Sequence, residues 1–434
     1  IKRVVPAVFT AAFASLTKMN FNKLLSGNIT KYQKEGFIMI SVGIDVSKGK
    51  STVCIMKPCG EILESPFDIG HTADELDSLI SLIKSFDEET RVVMEDTGHY
   101  HLPVATYLSS HNIFVCCVNA LRMKKFCSQS IRRAKTDKID SIKIASFGIT
   151  YWNELVKAYP SNVIYDELKF LARQYYQVTG MLVKSNVNFS NLLDQVMPKI
   201  NDVLSNQGEN HKLTEFVSRY IHFQNILDMG EMKFTSDYCK WAKKKGYRLN
   251  ERKAAEILAL AQNGIPTLPN SQSVKIAVSE AVKLIHSIEE SRNTILAQMQ
   301  DLCNTLPEYS VVKEMDCIGD TLAPRIIAEI GDVRRFKNKH SLIAYAGIDA
   351  PPYQSGAFHA SERHISKRGN SYLRKTGYEI MQSLIKHKPA DNAVYDFIQK
   401  KRSEGKCGKE AMIAGLNKFL RVYYGKVMEF YSEH

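Results

Sequence analysis

The stretch from residue 41 to residue 69 constrains the fold more than any other part of the chain. "SVGIDVSKG" (41–49) is a short run rich in apolar residues, and "STVCIMK" follows it at once. After the turn signal "PCGE" (58–61) comes a third such run, "ILESPFDI". Short runs of this kind, bounded by Gly and Pro, predict three successive strands joined as a meander. The period then changes. "TADELDSLISLIKSF" opens with Thr72 and Glu75 spaced as a capping box and sets Leu76, Leu79, Ile80 and Ile83 on one helical face. "RVVMED" (91–96) predicts a strand, 100–111 a helix, and "IFVCCV" (113–118) another strand. "AKTDKIDSIKIA" (134–145) opens the last helix of the series.

The order β-β-β-α-β-α-β-α is that of an α/β ribonuclease-H-like (RuvC-like) domain. It decides where the acidic residues fall. Asp45 ends the first strand, Glu95 ends the fourth, and Asp137 and Asp140 lie one turn apart on the last helix, where residues three apart share a face. Those places converge at one edge of such a sheet. Four carboxylates there could hold two Mg²⁺ ions about 4 Å apart, polarising a phosphate and stabilising attacking and leaving oxygens. Each acid taken alone has a plainer reading: Asp137 and Asp140 as a solvated helix face, Asp45 as a turn residue, Glu95 as a surface acid. Their placement on the predicted fold is what favours the metal site. "GIDVSKGKSTVCI" is also similar to the phosphate loop of actin-like sugar kinases, but the second Gly-rich loop those kinases need is missing. His99, four after Glu95, reads as a hydrogen-bonded structural histidine or as a substrate or metal contact.

Charge points to a polyanionic partner. Lys and Arg number 58 against 46 Asp and Glu, a net +12. The excess is concentrated: residues 122–143 hold eight basic side chains against Asp137 and Asp140, and "SERHISKRGNSYLRK" (361–375) is a second basic run. Within these runs Arg132, Arg133, Lys135, Lys138, Lys367, Arg368 and Arg374 are the expected nucleic-acid contacts. The cysteine count is nine, an odd number with no CxxC pair, which argues against a disulfide scaffold or zinc ribbon and for a reducing cytoplasm. No apolar run reaches the roughly 18 residues of a membrane span. Residues 1–38 are basic, and "VVPAVFTAAFASL" is like a short signal core. Met39 directly precedes the first strand, so 1–38 are expected to be an extension outside the fold.

The remaining sequence predicts three regions after the catalytic domain's 39–154. From 155 to 306 the pattern is helical, with two long amphipathic stretches expected to pair as an antiparallel coiled coil or to dimerise. Between them, 201–273 reads as a mixed insertion with loop signals at "SNQGENHK" and "NGIPTLPNSQS". Residues 307–434 form a mainly α C-terminal domain. In it "EMDCIGDTLAPRIIAEIGD" (314–332) has the form of a helix-hairpin-helix, a Gly turn opening a helix whose amides can hold a phosphate.

"VGIDVSK", "VVMEDTGHYH" and "AKTDKIDS", in that order and spacing, resemble the DEDD transposases of bacterial insertion-sequence family one hundred and ten, to which Piv-type DNA invertases are related. "MDCIGDTLAPRIIAEIGDVRRFKNKHSLIAYAGID", then "YQSG" and "HISKRGNSYLRK", resemble the same family's C-terminal transposase domain. The likeness covers roughly 40–200 and 276–390; "EDTG" departs from it in lacking a small residue after the glutamate. The resemblance implies that Asp45, Glu95, Asp137 and Asp140 are the DEDD metal ligands and that Ser355 is the nucleophile, in preference to Ser361 and Ser366. It implies Mg²⁺-dependent attack on a DNA phosphodiester, a covalent phosphoserine and strand exchange. The implied partners are double-stranded DNA at element ends and target, a structured guide (bridge) RNA, and further copies of the chain as a dimer or tetramer. Without the resemblance, Ser355 reads as a loop serine beside Gly356. Two other functions fit the residues: a RuvC-like junction nuclease that uses water, and a nucleic-acid-binding protein without activity.

Overall fold

The structure is a computed structural model that describes residues 39–96, 98–128, 136–158, 163–206, 210–248, 250–351, 354–355, 358–359 and 364–433. The expected extension 1–38, the contacts Arg132, Arg133 and Lys135, and Ser361 lie outside the described residues. The chain divides into two compact units, Ile1–Pro160 and Ser161–His434.

The first unit is built on five strands: β1 (Met39–Val46), β2 (Lys50–Met56), β3 (Ile62–Gly70), β4 (Glu89–Glu95) and β5 (Phe114–Val118). Their order across the sheet is β3-β2-β1-β4-β5. β1 pairs antiparallel with β2, and β2 with β3, whereas β4 runs parallel to both β1 and β5. This is the ribonuclease-H-like sheet that the strand order predicts. One face is covered by α1 (Ala73–Lys84) and α2 (His101–Ser110). Thr72 caps α1 by accepting from the Glu75 amide, and Leu76, Leu79, Ile80 and Ile83 are buried against Val42, Ile44 and Val92. After α3 (Ala120–Cys127) comes α4 (Asp137–Thr150), which covers the other face.

The second unit is helical apart from one small hairpin. Its spine is a pair of long helices, α5 (Val163–Val196) and α11 (Gln272–Asn304). Tyr165, Leu168 and Ala172 from the start of α5 share a core with Met299 and Cys303 from the end of α11, while Phe189 and Leu193 share another with Val274 and Val278. The two helices therefore run antiparallel. Between them α6 (Ile200–Val203), α7 (Lys212–Tyr220), α8 (Phe223–Met229), α9 (Glu231–Lys244) and α10 (Glu251–Asn263) pack on the far half of the pair, around Phe216, Phe223, Phe234, Tyr238 and Ile257. The segment read as a mixed insertion is thus a helical subdomain with a core of its own.

The near half of the pair packs with α12 (Tyr309–Lys313), α13 (Leu322–Ile330), α14 (Lys339–Ala346), α15 (Ser371–His387), α16 (Ala393–Ser403) and α17 (Gly408–Glu433), and a hairpin of β6 (Gln354–Ser355) and β7 (Phe358–His359) falls between α14 and α15 in the chain. In the segment with helix-hairpin-helix form, the amides of Leu322 and Ala323 donate to the Gly319 carbonyl, and every residue of α13 after Leu322 is buried. Glu329 is fully buried there. Its carboxylate accepts from both terminal nitrogens of Arg173 and, at 2.8 Å, from Nδ2 of Asn370, whose Oδ1 caps α15. No helix among the described residues is long and apolar enough to cross a membrane.

Candidate carboxylate site on the sheet edge

Strand register sets the site. Ile44 of β1 lies opposite Met94 of parallel β4, so Asp45 and Glu95, the next residues, leave their strands side by side. Gly43 shows which way Asp45 faces. A Cβ on Gly43 would fall 2.2 Å from the Ala145 nitrogen and 2.4 Å from the Ser141 carbonyl oxygen, both backbone atoms of α4. Residues two apart on a strand point to the same face. Asp45 therefore shares the α4 face with Gly43, and Glu95 shares it with Val93, which packs against Ile144 and Phe147.

The same contacts give the direction of α4. Gly148 approaches Ser41, while Ser141 and Ala145 approach Gly43, so α4 descends antiparallel to β1. Its first turn, with Asp137 and Asp140, comes to the strand end where Asp45 and Glu95 lie. Thr136 caps that turn by accepting from the Ile139 amide at 3.2 Å. Two acids in a first turn also complement the helix dipole, which is the structural reason for them.

Cys127, at the end of α3, reports the convergence. Burial raises its thiol pKa first; Lys143 opposes that, and the negative charges of Asp140, Glu95 and Asp45 add to the rise. Carboxylates from three separate elements thus lie near enough for their charge to act on one half-buried sulfur. Asp140 is itself half-buried and accepts from the Lys143 ammonium at 3.1 Å. Asp137 is exposed. The carboxylate oxygens are not drawn into one tight group: the only three His, Cys, Asp or Glu donors found within 4.8 Å of one another among the described residues lie elsewhere.

A fifth acid lies on the same face. Asp68 of β3 is opposite Thr52 of β2, which is opposite Asp45. The Thr52 hydroxyl donates to Asp68 at 2.7 Å and holds its carboxyl below the usual range; Lys50 and, from α4, Lys138 act in the same direction against partial desolvation. Sequence reasoning missed Asp68 and Cys127. For Asp68 the signal was available in the alternation of "SPFDI", once the meander was paired.

An all-carboxylate donor set suits a hard cation such as Mg²⁺, which takes oxygen ligands and keeps several waters. Asp45, Glu95 and Asp140 are the residues best placed to hold one, with Asp137 one turn away. Lys138 is exposed beside them. In the second unit, Ser355 lies on β6 opposite Phe358 of β7. Lys367 and Arg368 are exposed on the segment after this hairpin. Arg374 is half-buried, and its Nη1 donates to the carbonyls of Ala346 and Gly369. That guanidinium braces a turn where Gly347 and Gly369 approach too closely for a Cβ on either. His99 is exposed and stacks with Tyr100 at 4.2 Å.

The chain matches family models and curated relatives along most of its length. A DEDD transposase model of the IS110 type matches residues 42–198, and the "Transposase IS116/IS110/IS902 family" model matches 309–396. The chain is 22% identical to the insertion element IS110 43.6 kDa protein of Streptomyces coelicolor, over 69% of this chain and 72% of that one. It is 22% identical to the IS116 44.8 kDa protein of Streptomyces clavuligerus over 86% and 91% of the two chains. The pilin gene-inverting protein of Moraxella bovis is 26% identical over 30% of this chain and 42% of its own. Among solved structures, T. thermophilus RuvC in complex with a Holliday junction substrate aligns with a TM-score of 0.20 at 10% identity, covering 27% of this chain and 96% of that one. With two family models on both halves and relatives along most of its length, the chain belongs to the IS110/IS116 family of insertion-element transposases.

Proposed function

We propose that this chain cuts and rejoins double-stranded DNA at the ends of an insertion element and at its target, with Asp45, Glu95, Asp137 and Asp140 as metal ligands and Ser355 as nucleophile. What supports the reading is the strand register that sets Asp45 beside Glu95 and the descent of α4, whose first turn holds Asp137 and Asp140, toward that same edge, in a domain matched by a DEDD transposase model. Bound Mg²⁺, as two ions, supplies charge neutralisation at the phosphate and activates the attacking oxygen. The four acids would hold and orient it, Asp140 being the one that accepts from the Lys143 ammonium at 3.1 Å. The Ser355 hydroxyl gives its proton to water and its oxygen bonds to phosphorus as the P–O bond to the leaving strand breaks. The leaving oxygen takes up a proton from water to become a hydroxyl, and the phosphoserine keeps the bond energy for joining to a new strand.

Exposed Lys138, Lys367 and Arg368, with Arg132, Arg133 and Lys135, contact phosphates, and Arg374 supports them by fixing the turn. The reading extends to the family's further expectations: a structured guide RNA pairs with both DNA partners, and the protein works as a dimer or tetramer in the cytoplasm. The chain then has a catalytic domain at 39–154, a helical middle to 306 with the insertion 201–273, and a serine-bearing domain from 307.

The test is adduct trapping. With guide RNA, DNA and Mg²⁺, the parent protein should form a covalent protein–DNA species that Ser355→Ala abolishes while DNA binding persists. Asp140→Asn should also abolish it, with partial recovery in excess Mn²⁺. Metal-dependent cleavage by Ser355→Ala without an adduct would instead establish water as the nucleophile.

A further inference from the structure

The helical subdomain carries a donor cluster that the recombination reading does not use. His211 stands at the entry to α7, and His286 and Glu289 lie three apart on α11. One donor atom from each lies within 4.8 Å of the other two. The His211 and His286 rings are 5.0 Å apart. Nδ1 of His211 and Oε2 of Glu289 face each other at 3.4 Å, and both atoms are buried without a hydrogen-bond partner.

A buried carboxylate oxygen facing a buried ring nitrogen at this distance calls for a proton or a cation between them. A proton on His211 is one solution, a metal ion the other. The spacing favours the ion. Tetrahedral zinc, with bonds of about 2.0–2.2 Å to nitrogen and carboxylate oxygen, keeps its donor atoms about 3.3–3.5 Å apart. The third residue favours it as well, because a shared proton needs two partners and this cluster has three.

His286 is also oriented for the task. The Thr214 hydroxyl donates its single proton to the His211 carbonyl at 3.0 Å. With the proton placed there, the hydroxyl oxygen can accept from Nε2 of His286 at 3.2 Å. In that tautomer Nδ1 keeps its lone pair for a metal, and the outer hydrogen bond is of the kind that orients metal-ligating histidines. The nearby cation Lys283 is turned away, paired with Glu280 at 2.8 Å.

We infer that His211, His286 and Glu289 bind one divalent transition-metal ion of the zinc class, clipping the start of α7 to α11. Two imidazoles and one carboxylate suit Zn²⁺, Co²⁺ or Ni²⁺ and are poor ligands for Mg²⁺. The site is thus chemically distinct from the all-carboxylate site and lies in the other compact unit.

The probe is Co²⁺, titrated into the metal-free full chain in excess Mg²⁺ and read by visible d–d absorption. The parent should take up one ion per chain, with the band of low-symmetry nitrogen and oxygen coordination, and Zn²⁺ should displace it. Glu289→Gln and His286→Asn should each weaken binding by more than the about 10–100-fold typical of losing a second-shell partner. Asp45→Asn should leave it unchanged. Circular dichroism checks each variant's fold, and either variant alone suffices. Three results would overturn the inference: no uptake by the parent, unchanged uptake by a folded ligand variant, or a thiolate charge-transfer band assigning the ion to cysteine. A fourth would replace it: no metal effect, with Glu289→Gln destabilising only where histidine is protonated, identifies a His211–Glu289 ion pair.

Discussion

Gly43→Ala tests whether the sheet edge depends on the close approach of α4. The new Cβ would sit 2.2 Å from the Ala145 nitrogen, where ordinary contacts begin at 3.4 Å. The helix backbone must therefore retreat by about 1 Å, because backbone atoms cannot rotate out of the way as a side chain can. Overpacking of this kind costs typically about 1–3 kcal/mol. Taking about 2 kcal/mol, and a urea m-value of about 2 kcal/mol/M, the unfolding midpoint of the first unit falls by about 1 M. The two tryptophans make this measurable. Trp152 belongs to the first unit and Trp241 to the second, so fluorescence in a Trp241→Phe background follows the first alone. With Asp140 of α4 in the proposed role of metal ligand, a displacement of about 1 Å should also lower the rate of DNA cleavage by about 100-fold. Gly180→Ala is the contrast: this glycine lies within α5 with nothing inside 4 Å of its would-be Cβ, and alanine there stabilises by about 0.5–1 kcal/mol. A Gly43→Ala protein with parental midpoint and parental cleavage would refute the packing of α4 on β1 described here.

Two further outcomes are expected. Glu329→Ala leaves Arg173 and Asn370 facing a vacated, buried position, and should destabilise the second unit by about 3 kcal/mol, at the low end for a broken buried pair because Arg173 is 30% exposed; equal denaturation midpoints would contradict it. Asp237 has its carboxyl held below the usual range, first by the Arg219 guanidinium at 2.6 Å and also by the Tyr220 hydroxyl. Its contribution to stability is present above the unfolded carboxylate value of about 3.9 and is lost as pH falls through the lower folded value. The gap in stability between parent and Asp237→Asn should therefore be full at pH 7 and close below about pH 4, and a gap that persists in strong acid would refute the assignment.

How much of this was legible beforehand depended on whether the information was local. Strands β1 to β3 and helix α1 announce themselves through turn residues, a capping box and period, so Asp45 and Glu95 could be set at strand ends. The 201–273 segment gave loop signals but no clear helical period. The apolar faces of its helices make sense only against Phe189, Leu193, Val274 and Val278, which lie outside the segment. Asp68 and Cys127 were missed because each gains its place through pairing and packing. The histidine–glutamate cluster was half visible: His286 and Glu289 are three apart on a helix, but His211 joins them only when α7 folds back on α11. Arg374 shows what counting charge leaves out, since the carbonyls of Ala346 and Gly369 already occupy its Nη1.

The long antiparallel pair has a consequence for how this protein can change length. α5 and α11 have 34 and 33 residues and extend about 50 Å at about 1.5 Å per residue. One core is fastened to each half, so the pair sets a phase as well as a distance. Inserting a single residue between Tyr176 and Leu182 would turn the outer core by about 100° about the helix axis relative to the inner one. Neither core could follow without losing its seam. Lengthening is tolerated only when both helices gain matched steps of about seven residues, two full turns. Viable length variants of this rod should therefore fall on a ladder with that spacing, and intermediate lengths should be rare.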